Sequence, residues 1–156
     1  MGGIEQVPGF LFFDHVGIAV QTGQIEEHVE TYKRLGFIEV HREDVPSPDC
    51  VREVLLRVGN GPNLVQLLEP LGPESPVSKQ LERNGGRGGF SHLAFRVSDI
   101  YKAFDHMRAE GFHIIDDAPR AGSRGTTVFF VHPKTTGQTE FGYLIEIVQE
   151  CSSEHA

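Results

Sequence analysis

The chain of 156 residues has no tryptophan, only two cysteines and only two methionines. Cys50 and Cys151 form no Cys-x-x-Cys spacing, which excludes a disulfide framework or a cysteine-based zinc site and makes a reducing compartment the default. Long hydrophobic runs are also missing; none approaches the roughly 20 residues needed to cross a bilayer. The start, Met1-Gly2-Gly3-Ile4-Glu5-Gln6, has no basic region of a secretory signal, and Gln6 breaks a myristoylation pattern. A cytoplasmic protein without membrane attachment is expected. Positive charge is scarce as well: 14 Lys and Arg stand against 22 Asp and Glu, a net charge of −8. That balance excludes a general nucleic-acid or anionic-membrane binder, though a local basic pocket for a small anion remains compatible with it. What is present is ordinary for a globular domain: 38% hydrophobic residues and 18 glycines. A chain of this length buries roughly two thirds of its unfolded surface and needs neither disulfide nor metal merely to fold as one domain, here 1–156.

The sequence repeats itself. Phe13-Asp14-His15-Val16-Gly17-Ile18-Ala19-Val20 and Phe90-Ser91-His92-Leu93-Ala94-Phe95-Arg96-Val97 share histidine at the third position and valine at the last. Both are rich in apolar residues and bounded like strands. Each is followed by a helical pattern. Ile25, Val29, Tyr32 and Leu35 fall roughly on one face of Gln24–Leu35, and Ile100, Ala103, Phe104 and Met107 follow a cap at Ser98 or Asp99. Gly36-Phe37 and Gly111-Phe112 end the two helices, with glycine suited to the position after the cap. Strand-like segments then close each half: Ile38–Arg42, Val51–Val58 and Leu64–Leu68 in the first, His113–Asp116, Thr127–His132 and Tyr143–Gln149 in the second. The fold class expected is α+β, with two tandem βαβββ modules over about 12–70 and 90–150. The stretch 71–89 connects them, with a short helix near Val77–Arg83.

Repeat-related positions nominate a site. His15 and His92 are one such pair. Val65-Gln66-Leu67-Leu68-Glu69 aligns with Ile145-Glu146-Ile147-Val148-Gln149, so Gln66 and Glu146 are a second, each a polar residue inside an apolar strand. A buried polar group without a partner is costly, and a buried carboxylate more so. One divalent cation would satisfy all four. Two imidazoles, a carboxylate and an amide oxygen suit Co, Mn, Zn, Ni or Fe(II). Taken singly, each histidine also fits a structural strand residue and Gln66 a solvent-facing amide, and spacing alone leaves those readings open.

Several stretches carry a family likeness: Asp14–Val20, Gln66-Leu67-Leu68-Glu69-Pro70-Leu71, Glu74-Ser75-Pro76-Val77, Gly88–Ile100, Phe130-Val131-His132-Pro133-Lys134 and Leu144–Gln149. In this order and spacing, from about Phe12 to Gln149, the chain resembles the vicinal oxygen chelate (glyoxalase/bleomycin resistance/dioxygenase) superfamily, and within it the methylmalonyl-CoA epimerases. The resemblance implies that the two modules form one cupped mixed sheet around a metal held by His15, Gln66, His92 and Glu146, with Co favoured. It implies a homodimer and an acyl-CoA substrate. It also assigns Glu53 as a base, which alternation along Val51–Leu56 alone would turn toward solvent. Two departures bear on the acyl group: Ser91 stands where the family often has histidine, and the segment Thr135–Tyr143 is longer than expected.

The implied reaction interconverts the 2R and 2S forms of methylmalonyl-CoA, or of a close 2-substituted malonyl-CoA. Glu53 removes the C2 proton, the cation stabilises the enolate charge, and Glu146 or a bound water returns the proton on the other face. No redox step is needed. Lys134 and Arg124 are candidates for CoA phosphates, with Ser91 beside the substrate. Gly85-Gly86-Arg87-Gly88-Gly89 precedes a strand rather than opening a helix, so it fails the test for a phosphate-cradling loop. His28, His41, His106, His113 and His155 lie outside the repeat-related pairs and are taken as structural or surface residues. The competing readings are a glyoxalase I-like isomerase, an Fe(II) dioxygenase, against which a fourth protein ligand at Gln66 argues, and a metal-free small-molecule binding protein.

Overall fold

The computed structural model describes residues 4–133 and 144–150. Among these residues lie three α-helices and eight strands: β1 (Phe10–Ala19), α1 (Ile25–Arg34), β2 (Ile38–Val45), β3 (Val51–Arg57), β4 (Leu64–Pro70), α2 (Pro76–Arg83), β5 (Gly89–Val97), α3 (Ile100–Ala109), β6 (Arg120–Ala121), β7 (Thr127–Val131) and β8 (Leu144–Gln149). The chain divides into two compact units, residues 15–91 and residues 1–14 with 92–156.

In the first unit the strand order is β2-β3-β4-β1, with β1 parallel to β4 and the other neighbours antiparallel. Alternation gives this sheet two different faces. Val54, Leu56 and Leu67 point to one, where Ile25 and Val29 of α1 cover them. Glu53, Leu55, Gln66 and Leu68 point to the other, part of which α2 covers by packing Val77 and Leu81 against Val51 and Leu68. Helix α2 starts where Ser75 accepts a hydrogen bond from the Val77 N–H and Pro76 supplies a pre-set φ at the first turn. At the other helix start the carboxylate of buried Glu69 accepts from the Gly23 N–H, ahead of a Gln24 cap whose own side chain makes no capping bond.

The second unit repeats the plan: β5-β8-β7-β6, with β5 parallel to β8. Helix α3 packs Ile100, Ala103, Phe104 and Met107 on Phe129, Val131, Ile145 and Ile147. Asp99 caps α3, accepting from Lys102 N–H at 3.1 Å. The two Gly-Phe stops are identical in bonding. Gly36 N–H reaches Lys33 O and Phe37 N–H reaches Tyr32 O, while Gly111 N–H reaches Arg108 O and Phe112 N–H reaches Met107 O, all at 3.0 Å. Gly36 and Gly111 adopt φ +96° and +92°, which a residue with Cβ adopts only under strain.

One expected strand does not form. His113–Asp116 contributes only a bridge between Ile114 and Val131. The reason is Asp116, whose carboxylate takes the Phe130 N–H and the Arg120 Nε–H, each at 2.8 Å. A side chain thus occupies a ladder position that a backbone carbonyl would hold, and pairing on that edge passes to Arg120–Ala121. Tyr143, the expected start of the last strand, lies outside the described residues.

Candidate active site

The two units carry the same local register. In the first, parallel pairing sets Gly17 opposite Gln66, two residues on from His15. In the second it sets Ala94 opposite Glu146, two residues on from His92. The repeat seen in sequence is therefore a repeat of strand register. His15, Gly17 and Gln66 share the face turned away from α1, and His92, Ala94 and Glu146 the face turned away from α3. All four polar side chains are buried.

In the second unit His92 Nε2 lies 3.3 Å from Glu146 Oε1, and the Phe130 ring meets the His92 ring edge-on at 5.8 Å between centroids. In the first unit Gln66 donates from Nε2 to Glu53 Oε2 at 2.8 Å, and its Oε1 is buried with no hydrogen-bond partner. Glu53 is 2% exposed. The solvent-facing position that alternation alone predicts is thus overturned: α1 covers one face of β3, and the other is buried too.

Glu53 has neighbours that sequence reasoning missed. Glu43 is its cross-strand partner, and His41 Nε2 lies 2.8 Å from Glu43 Oε1. Ligand-type atoms of His41, Glu43 and Glu53 lie within 4.8 Å of one another. The signal was available, because His41 and Glu43 alternate onto one face of β2 opposite Glu53.

Of the substrate candidates, Arg124 lies beside buried Asp14, at 3.8 Å, with φ +56°. Asp14 also holds Arg96 at 2.7 Å. Ser91 is buried, and alternation along β5 turns it to the face opposite His92. Lys134 and the segment Thr135–Tyr143 lie outside the described residues.

A buried amide oxygen without a donor, on the same face as a buried histidine, is a fitting ligand for a hard or borderline divalent cation. A buried histidine touching a buried carboxylate suits the same ion. These half-sites, on repeated βαβββ units, define a class. Residues 14–130 match the model of the Glyoxalase/Bleomycin resistance protein/Dioxygenase superfamily, and the chain belongs to that superfamily. More particularly, its relatives include several methylmalonyl-CoA epimerases. The mitochondrial methylmalonyl-CoA epimerase of Homo sapiens is 31% identical over 151 residues, 94% of this chain and 80% of that protein. The crystal structure of methylmalonyl-CoA epimerase from Mycobacterium tuberculosis superposes with a TM-score of 0.83 at 32% identity, covering 99% of this chain and 96% of that one. A methylmalonyl-CoA epimerase solved in complex with methylmalonyl-CoA and NH4+ matches with a TM-score of 0.80 at 33% identity, over 92% and 96% of the two chains.

Proposed function

We propose that this chain is an epimerase that interconverts the 2R and 2S forms of methylmalonyl-CoA, or of a close 2-substituted malonyl-CoA, with a divalent cation held by His15, Gln66, His92 and Glu146. The observation that carries the reading is the Gln66 amide. Its nitrogen is committed to Glu53, so its oxygen is left buried and unsatisfied beside a histidine-bearing strand. That arrangement joins a ligand atom and a base through one side chain.

The C–H between a thioester and a carboxylate is weakly acidic, and its removal leaves negative charge on the thioester oxygen. A cation held by His15, Gln66, His92 and Glu146 would supply positive charge where that charge develops. Glu53 takes the proton, its carboxylate oriented by the Gln66 N–H. The two units differ at this point. Counting two residues back from the partner of Gln66 gives Glu53, and the same count from the partner of Glu146 gives Val128. The second unit therefore has no base equivalent to Glu53, and reprotonation on the other face falls to Glu146 or a water beside it. We assign Co(II) as the cation and the cytoplasm as the compartment. A homodimer would cover the edge strand β2, where Ile38 and Val40 are exposed.

Deuterium exchange at C2 of methylmalonyl-CoA in heavy water, with Co(II), tests the proposal. The expected result is cation-dependent exchange with interconversion of the epimers, reduced roughly 10²–10⁴-fold in Glu53→Gln. Exchange that survives Glu53→Gln removes the base assignment but keeps the reaction. No exchange with Co(II) bound overturns the substrate, and oxygen uptake with a catechol in its place would point to a dioxygenase.

A further inference from the structure

A groove of about 370 Å³ runs between α2 and the facing ends of β1 and β5, lined by Ala19, Gln80, Arg83, Asn84, Arg87 and Phe90, with Gly89 at its edge. Its basic residues stand out in this acidic chain. Arg42, Arg52, Arg96 and Arg120 each hold a carboxylate. Arg83 and Arg87 hold none among the described residues, and both are exposed. An unpaired guanidinium presents its donors to an incoming anion, and its planar fork matches phosphate.

The groove is shaped by hydrogen bonds that do not use the guanidinium groups. Gln80 donates to Phe90 O at 2.7 Å, which fixes α2 against the start of β5. Asn84 donates to Arg87 O at 2.8 Å, folding the glycine-rich turn back on the helix end. At Gly88 an added Cβ would meet Ala19 O at 2.4 Å, so only glycine lets the turn close onto the end of β1. Phe90 is 43% exposed, an aromatic face beside the two arginines. Ala19 lies on the same strand face as His15, four residues on, which is about 13 Å at the rise of a strand.

Two unpaired arginines, an exposed aromatic ring and a position one arm's length from the ligand histidine suit one kind of molecule. We propose that this groove holds the nucleotide end of the acyl-CoA, with Arg83 and Arg87 on its phosphates and Phe90 against the adenine. The proposal rests on the epimerase reading given above. It moves the phosphate contacts away from Arg124, which has Asp14 beside it. It also agrees with the glycine run not being a phosphate cradle, since the contacts come from side chains.

The test compares wild type with the double variant Arg83→Ala/Arg87→Ala on two substrates, methylmalonyl-CoA and the methylmalonyl thioester of pantetheine, which lacks the nucleotide. Binding of adenosine 3′,5′-bisphosphate is titrated in parallel by calorimetry. The expected result is a KM for the CoA ester raised roughly tenfold or more with kcat little changed, unaltered kinetics on the pantetheine thioester, and loss of bisphosphate binding. An unchanged KM for the CoA ester, or equal loss on both thioesters, overturns the proposal, as does a raised KM in Arg124→Ala instead. If wild type turns over neither thioester, the epimerase reading has failed, and the titration decides the groove alone. Bisphosphate binding that is weakened in the double variant and kept in Arg83→Lys/Arg87→Lys supports it; binding equal in wild type and the double variant overturns it.

Discussion

Single residues with unusual surroundings explain both the chemistry and part of the stability. Asp14 is fully buried, and Arg96 reaches it at 2.7 Å while also holding exposed Glu150 at 2.9 Å. Removing one partner of a buried ion pair leaves the other charge uncompensated. Asp14→Ala should therefore cost about 3 kcal/mol, the low end for such pairs because Glu150 remains available to Arg96. Urea unfolding with unchanged slope and a lower midpoint checks this, and an unchanged midpoint would show that the pair contributes nothing net. That the two histidines, Gln66 and Glu146 occupy matching register positions was legible in the sequence, because duplication marks each pair twice. Glu53 was not legible from pattern, since a strand glutamate between apolar residues looks solvent-facing when the layer covering its face is unknown. Asp14–Arg96 and Glu69–Gly23 were illegible for another reason: they join residues far apart in sequence, and no periodicity records such contacts.

At the scale of elements, the βαβββ order and both helix stops were readable, because apolar period and Gly-Phe ends are local chemistry. The segment His113–Asp116 was not, because whether its edge pairs depends on where the Asp116 carboxylate goes. Ion pairing between elements is also open to test. Arg42 on β2 binds Glu39 on its own strand, at 2.9 Å, and Glu26 on α1. The hydrogen bonds to Arg42 hold both carboxyls below their ordinary value of 4.5, and the guanidinium in turn has its pKa raised. A carboxyl lowered in the folded state stabilises the fold above its unfolded value, and that stabilisation is lost as pH falls from about 4.5 through the folded values. These side chains are substantially exposed, so screening limits the effect to about 0.5 kcal/mol. Arg42→Ala should lower the Tm by roughly 2 °C near neutral pH and by progressively less as pH falls below about 4.5. A difference that persists in acid would mean that the Arg42 stem, rather than its charge, carries the contribution.

At the scale of the whole molecule, the proposed ligand set would couple metal binding to folding. His15 and Gln66 belong to one compact unit, and His92 and Glu146 to the other. A cation that binds all four is bound only by the folded chain, so it must raise stability by mass action. At a free concentration about a hundred times its Kd the gain is about 2.7 kcal/mol, which for a chain of this length raises the Tm by roughly 5–10 °C. A surface carrying a net charge of −8 also collects cations weakly, so a shift with Co(II) is not by itself evidence for the site. The distinction lies in the variants. Diffuse attraction is insensitive to one buried histidine, whereas site binding is lost when a ligand is removed. The Co(II)-dependent rise in Tm should disappear in His15→Ala and, independently, in His92→Ala. A rise that survives both substitutions would assign it to the acidic surface. A rise lost in only one of them would confine the ion to a single unit and exclude a ligand set drawn from both.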